Sequence, residues 1–168
     1  MPIVTARKAL FEIFGSSRPT LPIDLSLVAH RFGITIKPTT NSYSGSAYIE
    51  NGQKIVEYNF FEPVVRSRFT IAHEIGHMLL GHTANGQKFR DTNRLGGSGD
   101  IELERQANAF AAELLVPEAL ITELVMHFRT DSVSDLAKMF NVSSDVIGYR
   151  LSDLGLISNR PTPNYLYG

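Results

Sequence analysis

The stretch that decides the fold prediction is Arg68–His82, RFTIAHEIGHMLLGH. Its apolar residues recur at helical spacing, within a predicted helix that begins at Pro63 and ends before Gly81. His73 and His77 are four residues apart, so they share one helix face with Cβ atoms about 5–6 Å apart. Two imidazoles at that separation can converge on one metal ion.

Glu74 completes the pattern His-Glu-x-x-His. Neutral imidazole is a good ligand for zinc, and zinc lowers the pKa of bound water from about 15.7 to about 7, so a nearby carboxylate suffices as a base. We therefore expect His73 and His77 to bind zinc and Glu74 to be the general base. The alternative is a pair of helical histidines with a coincidental glutamate, since so short a pattern also occurs by chance.

A catalytic zinc needs a third protein ligand and one open position for water. The chain has no cysteine, so the ligand must offer nitrogen or oxygen; the candidates are His82, Glu102, Glu104 and Glu113. At roughly 100° per residue, Glu104 lies on the apolar face of its predicted helix, and Glu102 and Glu113 lie on the opposite face. A carboxylate on an apolar face is costly unless it is paired or binds metal. This favours Glu104 as the ligand, with pairing to a core arginine as the alternative.

Two further polar residues adjoin this predicted site. Asn108 lies one turn after Glu104 on the same helix face, where it can accept a hydrogen bond from a ligating imidazole. His82 lies five residues after His77, beyond the predicted helix end. That offset does not match the longer metzincin spacing, so we interpret His82 as a polar loop residue.

The remaining pattern predicts an α+β fold: a mainly helical, zincin-like domain with a small antiparallel sheet and a C-terminal helix-turn-helix-like helix pair. Asn51-Gly52 between two alternating runs indicates a tight hairpin. The other predicted elements are helices 5–14, 22–32, 102–116 and 118–128, a strand 34–37, a loop 82–100, two helices within 131–157 and an irregular tail. The predicted division is a metallopeptidase-like domain, 1–130, and a helical extension packed on it, 131–168.

Composition and charge exclude several classes of partner. The 168 residues are 43% hydrophobic with a formal net charge of −1, and no apolar run approaches the roughly 20 residues that span a bilayer. The N-terminus lacks the pattern of a signal peptide, so we expect a cytoplasmic protein. Residues 131–160 carry three basic and four acidic side chains, which argues against phosphate binding and direct DNA contact.

Three segments in this order, RFTIAHEIGHMLLGH, ELERQANAFAAELLVP and DLAKMFNVSSDVIGYRLSDLGLI, resemble the ImmA/IrrE family of metallopeptidases. PIDLSLVAHRFGI is similar to that family's N-terminal helix, so the resemblance covers about residues 20–157. It implies a thermolysin-like zinc centre with His73, His77 and Glu104 as ligands and Glu74 as base. Glu104 and Asn108 resemble a gluzincin Glu-x-x-x-Asp pair in which asparagine replaces aspartate.

The resemblance also implies a substrate, because family members are associated with cleavage of helix-turn-helix repressors in mobile elements or stress responses. We therefore expect one zinc per chain and an endopeptidase that cuts such a repressor, on a substrate strand paired to an edge of the hairpin. The alternative is a non-catalytic zinc-binding regulator or a toxin-antitoxin-type binding partner. An oxyanion would need a hydrogen-bond donor besides zinc, and the residues of a suitable type are His127, Tyr43, Tyr48, Tyr149 and Arg150. For each of them the sequence favours a structural role over a catalytic one.

Overall fold

The computed structural model describes residues 1–83, 89–90, 101–127 and 132–157. The predicted α+β class is confirmed there. In chain order the elements are α1 Pro2–Phe14, α2 Leu25–Arg31, β1 Ile34–Thr39, β2 Gly45–Glu50, β3 Gln53–Asn59, α3 Val64–Leu79, β4 Phe89–Arg90, α4 Ile101–Leu115, α5 Glu118–Met126, α6 Val133–Phe140 and α7 Ser144–Asp153. In the part of the chain that the structure describes, no helix has the length and hydropathy of a membrane-spanning segment.

The sheet has the strand order β1-β3-β2-β4. Strands β2 and β3 form the predicted antiparallel hairpin, closed between Glu50 and Gln53. Asn51 and Gly52 both adopt positive φ, 49° and 78°, which is the backbone that a type I′ turn requires. Strand β1 pairs in parallel with β3, so the sheet as a whole is mixed.

The pairing of strand β4 contradicts two expectations. One concerns the predicted loop 82–100, and the other concerns the free edge of the hairpin. Phe89 and Arg90 are not loop residues, because they pair antiparallel with Ala47 and Ser46 of β2. The hairpin is therefore not a free edge at those positions, and among the described strands the edges are β1 and β4. The rest of the predicted loop, 84–88 and 91–100, lies outside the described residues, as does the tail from residue 158.

Helix α2 begins three residues later than the proline at position 22 predicts. The Asp24 side chain accepts hydrogen bonds from the backbone N–H groups of Ser26 and Leu27, and this aspartate cap fixes the start at Leu25. Pro22 precedes the cap and lies outside the helix.

The two C-terminal helices are present where the sequence predicts them. Ser132 and Ser143 cap them, each accepting a hydrogen bond from a backbone N–H three residues later. Leu136, Phe140 and Ile147 belong to the same apolar core as residues of α3 and α4. The division into 1–130 and 131–168 and the helix-turn-helix character of the pair stay predictions.

The prediction that Glu113 lies on the face of α4 opposite the apolar face and points outward is wrong. The Glu113 side chain is 2% exposed and forms ion pairs with Arg150 of α7 and Arg7 of α1. The outward face expected from periodicity does not exist at this end of the helix, because α1, α3 and α7 surround it. The arginine-paired core carboxylate that was the alternative for Glu104 is thus found at Glu113.

The burial of α7 leads to a prediction about DNA. A helix-turn-helix reader places its second helix in the major groove, but residues 146–151 of α7 are all buried, and Arg150 pairs with Glu113. We expect no sequence-specific duplex binding at physiological salt, measured by fluorescence anisotropy with labelled promoter DNA. Tight, salt-dependent binding to one site by the protein alone would contradict this expectation.

Candidate metal centre

Helices α3 and α4 bring three side chains with ligand-type atoms to one point. His73 Nε2 lies 3.0 Å from His77 Nε2. Glu104 reaches both imidazoles, with Oε2 3.1 Å from His73 Nε2 and Oε1 3.5 Å from His77 Nε2. Within the described residues, these are the three that form a group able to hold a metal ion.

The spacing of these atoms fits a tetrahedral zinc ion. Ligand atoms about 2.0–2.1 Å from the metal lie roughly 3.3 Å from one another in that geometry, and the observed separations bracket this value. The imidazoles of His73 and His77 are 7% and 1% exposed, whereas Glu104 is 38% exposed. The group is therefore closed on the histidine side and open to solvent on the Glu104 side.

The electrostatics of the group favour the protonation states that a metal needs. Burial lowers the pKa of His77, which favours its neutral form, although the hydrogen bond to Glu104 opposes this. Burial alone would raise the pKa of Glu104, but its hydrogen bonds to His73 and His77 outweigh that effect and lower the pKa. A neutral imidazole and an ionised carboxylate are the ligand forms.

Each imidazole has a polar partner at its other nitrogen. Asn108 Oδ1 lies 2.8 Å from His73 Nδ1, as expected from its position one turn after Glu104. His82 Nδ1 lies 3.0 Å from His77 Nδ1. The interpretation of His82 as a polar loop residue did not include this contact, although Gly81 before it signals a turn back towards the helix.

Gly76 allows α4 to approach the histidine helix closely. A Cβ at this position would lie 3.0 Å from Phe110 Cδ1 and 3.3 Å from the Ala107 carbonyl oxygen. The missing side chain lets the two helices cross where Ala107 and Phe110 flank Asn108. The contacts of Glu104 and Asn108 with the imidazoles therefore depend on Gly76, a residue for which the helical pattern alone predicts no role.

Glu74 is buried on α3, with its side chain close to the first residue of β2. A Cβ on Gly45, the first residue of β2, would overlap Thr70 Cγ2 and lie 3.1 Å from Glu74 Cγ. Only glycine fits between β2 and α3 at this point. Gly45 therefore fixes how closely the sheet approaches the carboxylate that follows His73.

Three of the candidate oxyanion donors form hydrogen bonds that indicate a structural role. The Tyr43 and Tyr48 hydroxyls donate to Glu57, at 2.9 and 2.8 Å, and burial together with this carboxylate raises the pKa of Tyr48 to about 12. Arg150 is held by Glu113 and by the Val116 carbonyl oxygen. The other two are buried Tyr149 and His127, which lines a cavity of about 640 Å³ beside α1 and α5.

Comparison with known proteins gives one family over most of the chain. Residues 29–152 match Peptidase M78, the IrrE N-terminal-like domain. Metallopeptidase ImmA of Bacillus subtilis is 34% identical over 99 residues, which cover 59% of this chain and 57% of that protein. The radiation response metalloprotease IrrE of Deinococcus radiodurans is 35% identical over 91 residues, 52% of this chain and 27% of that protein.

Among solved structures, a Mycobacterium tuberculosis transcriptional regulator has the same fold over most of this chain. The TM-score is 0.59 at 18% sequence identity, and the match covers 90% of this chain and 46% of the regulator. The chain thus spans only about a quarter to three fifths of the length of these matched proteins.

Proposed function

Since this chain belongs to Peptidase M78, the family of IrrE N-terminal-like domains, we propose that it is a zinc-dependent endopeptidase. His73, His77 and Glu104 would hold the zinc ion, and Glu74 would act as general base. The observation that carries this proposal is the convergence of two Nε2 atoms and one carboxylate at 3.0–3.5 Å from one another. Zinc in this position would polarise the scissile carbonyl and lower the pKa of the attacking water.

The side chains around the zinc site would then hold the attacking water and transfer one of its protons. A Glu74 carboxylate oxygen takes the proton of the attacking water and returns it to the leaving amide nitrogen as the peptide bond breaks. The burial of Glu74 against Gly45 limits the positions that the carboxylate can take. Asn108 holds the His73 ring through Nδ1, so that Nε2 faces His77 and Glu104.

The substrate that we propose is a helix-turn-helix transcriptional repressor, whose cleavage relieves repression in a stress response or a mobile element. The repressor follows from the family resemblance. The name of the Deinococcus relative, a radiation response metalloprotease, supports a regulatory setting. Such a substrate also places the enzyme in the cytoplasm.

A peptide substrate needs an extended strand at the site. The hairpin cannot offer its β2 edge at Ser46 and Ala47, where β4 pairs. Strand β4 is the outer strand on that side of the described sheet, so it is the edge that we propose for pairing with substrate. A folded repressor presents few extended segments, which restricts cleavage to one or two exposed bonds.

We expect the zinc-loaded protein to cut its cognate helix-turn-helix repressor at one or two bonds and to leave casein largely intact. The two substrates are incubated in parallel with the parent and with Glu74→Gln, and fragments are read by mass spectrometry. Many-site casein digestion with an intact repressor would refute the proposed specificity. Stable repressor binding without cleavage would instead support the non-catalytic alternative.

A further inference from the structure

The C-terminal end of α3 turns His82 back onto the helix that carries the two histidines. Gly81 has a φ of 80°, its N–H donates to the Met78 carbonyl oxygen at 3.2 Å, and the His82 N–H donates to the His77 carbonyl oxygen at 2.9 Å. This pair of bonds is a Schellman motif, in which a left-handed glycine reverses the chain. The reversal places residue 82 beside His77 through backbone geometry alone.

The two side chains meet at defined atoms. The His82 and His77 ring centroids are 5.0 Å apart with the planes at 70°, and the two Nδ1 atoms are 3.0 Å apart. One of these nitrogens must donate and the other accept. His77 Nε2 faces His73 and Glu104, so a metal-binding, neutral His77 carries its proton on Nδ1 and donates it to His82.

We propose that His82 is a positioning residue for His77, as the counterpart of Asn108 for His73. This inference rests on the proposed function, because it concerns the zinc site. By accepting the Nδ1 proton, His82 fixes both the tautomer and the ring orientation that present Nε2 to the metal. His77 is almost fully buried, so water cannot easily replace the lost acceptor.

The geometry distinguishes this role from direct metal binding. His82 contacts the Nδ1 edge of His77, whereas the other two members of the candidate group meet the Nε2 edge. The role therefore requires an acceptor at the position of His82 Nδ1 and does not require an imidazole. An asparagine side chain can place an amide oxygen near that position, and a phenylalanine ring cannot.

The test compares His82→Ala, His82→Phe and His82→Asn with the parent, and uses His30→Ala, an exposed histidine on α2, as the matched control. Zinc dissociation constants are measured by competition with a chromophoric chelator. We expect His82→Ala and His82→Phe to weaken zinc binding by about 10–100-fold, the usual effect of losing a partner of a ligand. His82→Asn should recover most of the affinity, and His30→Ala should match the parent.

Thermal unfolding of the metal-free variants separates positioning from folding. Unchanged melting temperatures with weakened zinc binding support the proposal, because a purely structural residue would lower both. Parent-like zinc affinity in His82→Ala, or an equal loss in His82→Asn and His82→Phe, would overturn it while leaving the proposed peptidase function standing. A parent that binds no zinc would overturn both.

Discussion

Replacement of Glu74 by glutamine should abolish measurable repressor cleavage while the zinc and the fold are retained. Glutamine has nearly the same volume as glutamate, so it fits the space beside Gly45, but it cannot accept the proton of the attacking water. Loss of a general base lowers rates by roughly 10²–10⁴-fold. The measurement is the rate of repressor cleavage at saturating zinc, with fragments quantified by mass spectrometry.

Glu102→Gln is the matched control for Glu74, because it makes the same chemical change at a side chain that is 55% exposed. It should leave cleavage at the parental rate. Parental activity in Glu74→Gln would remove Glu74 from the mechanism. Complete loss of zinc from that variant would instead indicate that Glu74 is a ligand.

The second large effect is expected at Glu104. Glu104→Gln removes the charge of the proposed ligand, whose Oε2 and Oε1 atoms lie 3.1 Å from His73 Nε2 and 3.5 Å from His77 Nε2. It should reduce zinc from about one ion per chain to a small fraction of that value. A neutral amide binds zinc far less well than a carboxylate. Zinc is measured by elemental analysis after gel filtration in metal-free buffer.

The same pair of positions supplies the control here. Glu102 lies two residues earlier on α4, and its carboxylate contacts Arg105 and Gln106, so Glu102→Gln should keep the zinc. Zinc loss in Glu102→Gln and retention in Glu104→Gln would mean that a different face of α4 binds the metal. Retention of zinc in both variants would require a different third ligand.

The sequence predicted the parts of this site that depend on local geometry. His73 and His77 lie together because the helix repeats every 3.6 residues, and a helical pattern in the sequence is enough to establish that. That Glu104 and Asn108 lie on the inward face of their helix followed from the apolar pattern of α4, whereas their distances to the histidines depend on the packing of α4 against α3. These predictions needed only one helix at a time and the rule that the apolar face points inward.

The same reasoning gave the wrong position for Glu113, because α4 is enclosed by other helices at that end and has no solvent-facing side there. The expectation that the hairpin offers a free edge was wrong at Ser46 and Ala47 for a similar reason: the pairing of β4 with β2 joins residues more than 40 positions apart. Gly45 and Gly76 matter through contacts with other elements, so their roles appear only once the elements are packed.

Gly45 also couples two parts of the molecule mechanically. The strand that begins at Gly45 pairs with β4 through its next two residues. A Cβ on Gly45 would overlap Thr70 and lie 3.1 Å from Glu74 Cγ. There is no slack between them, since even a methyl group does not fit. If a substrate strand pairs with β4, as we propose, a shift of β2 on binding would reach the Glu74 side chain through Gly45. Strand binding would then be linked to the position of the proposed general base.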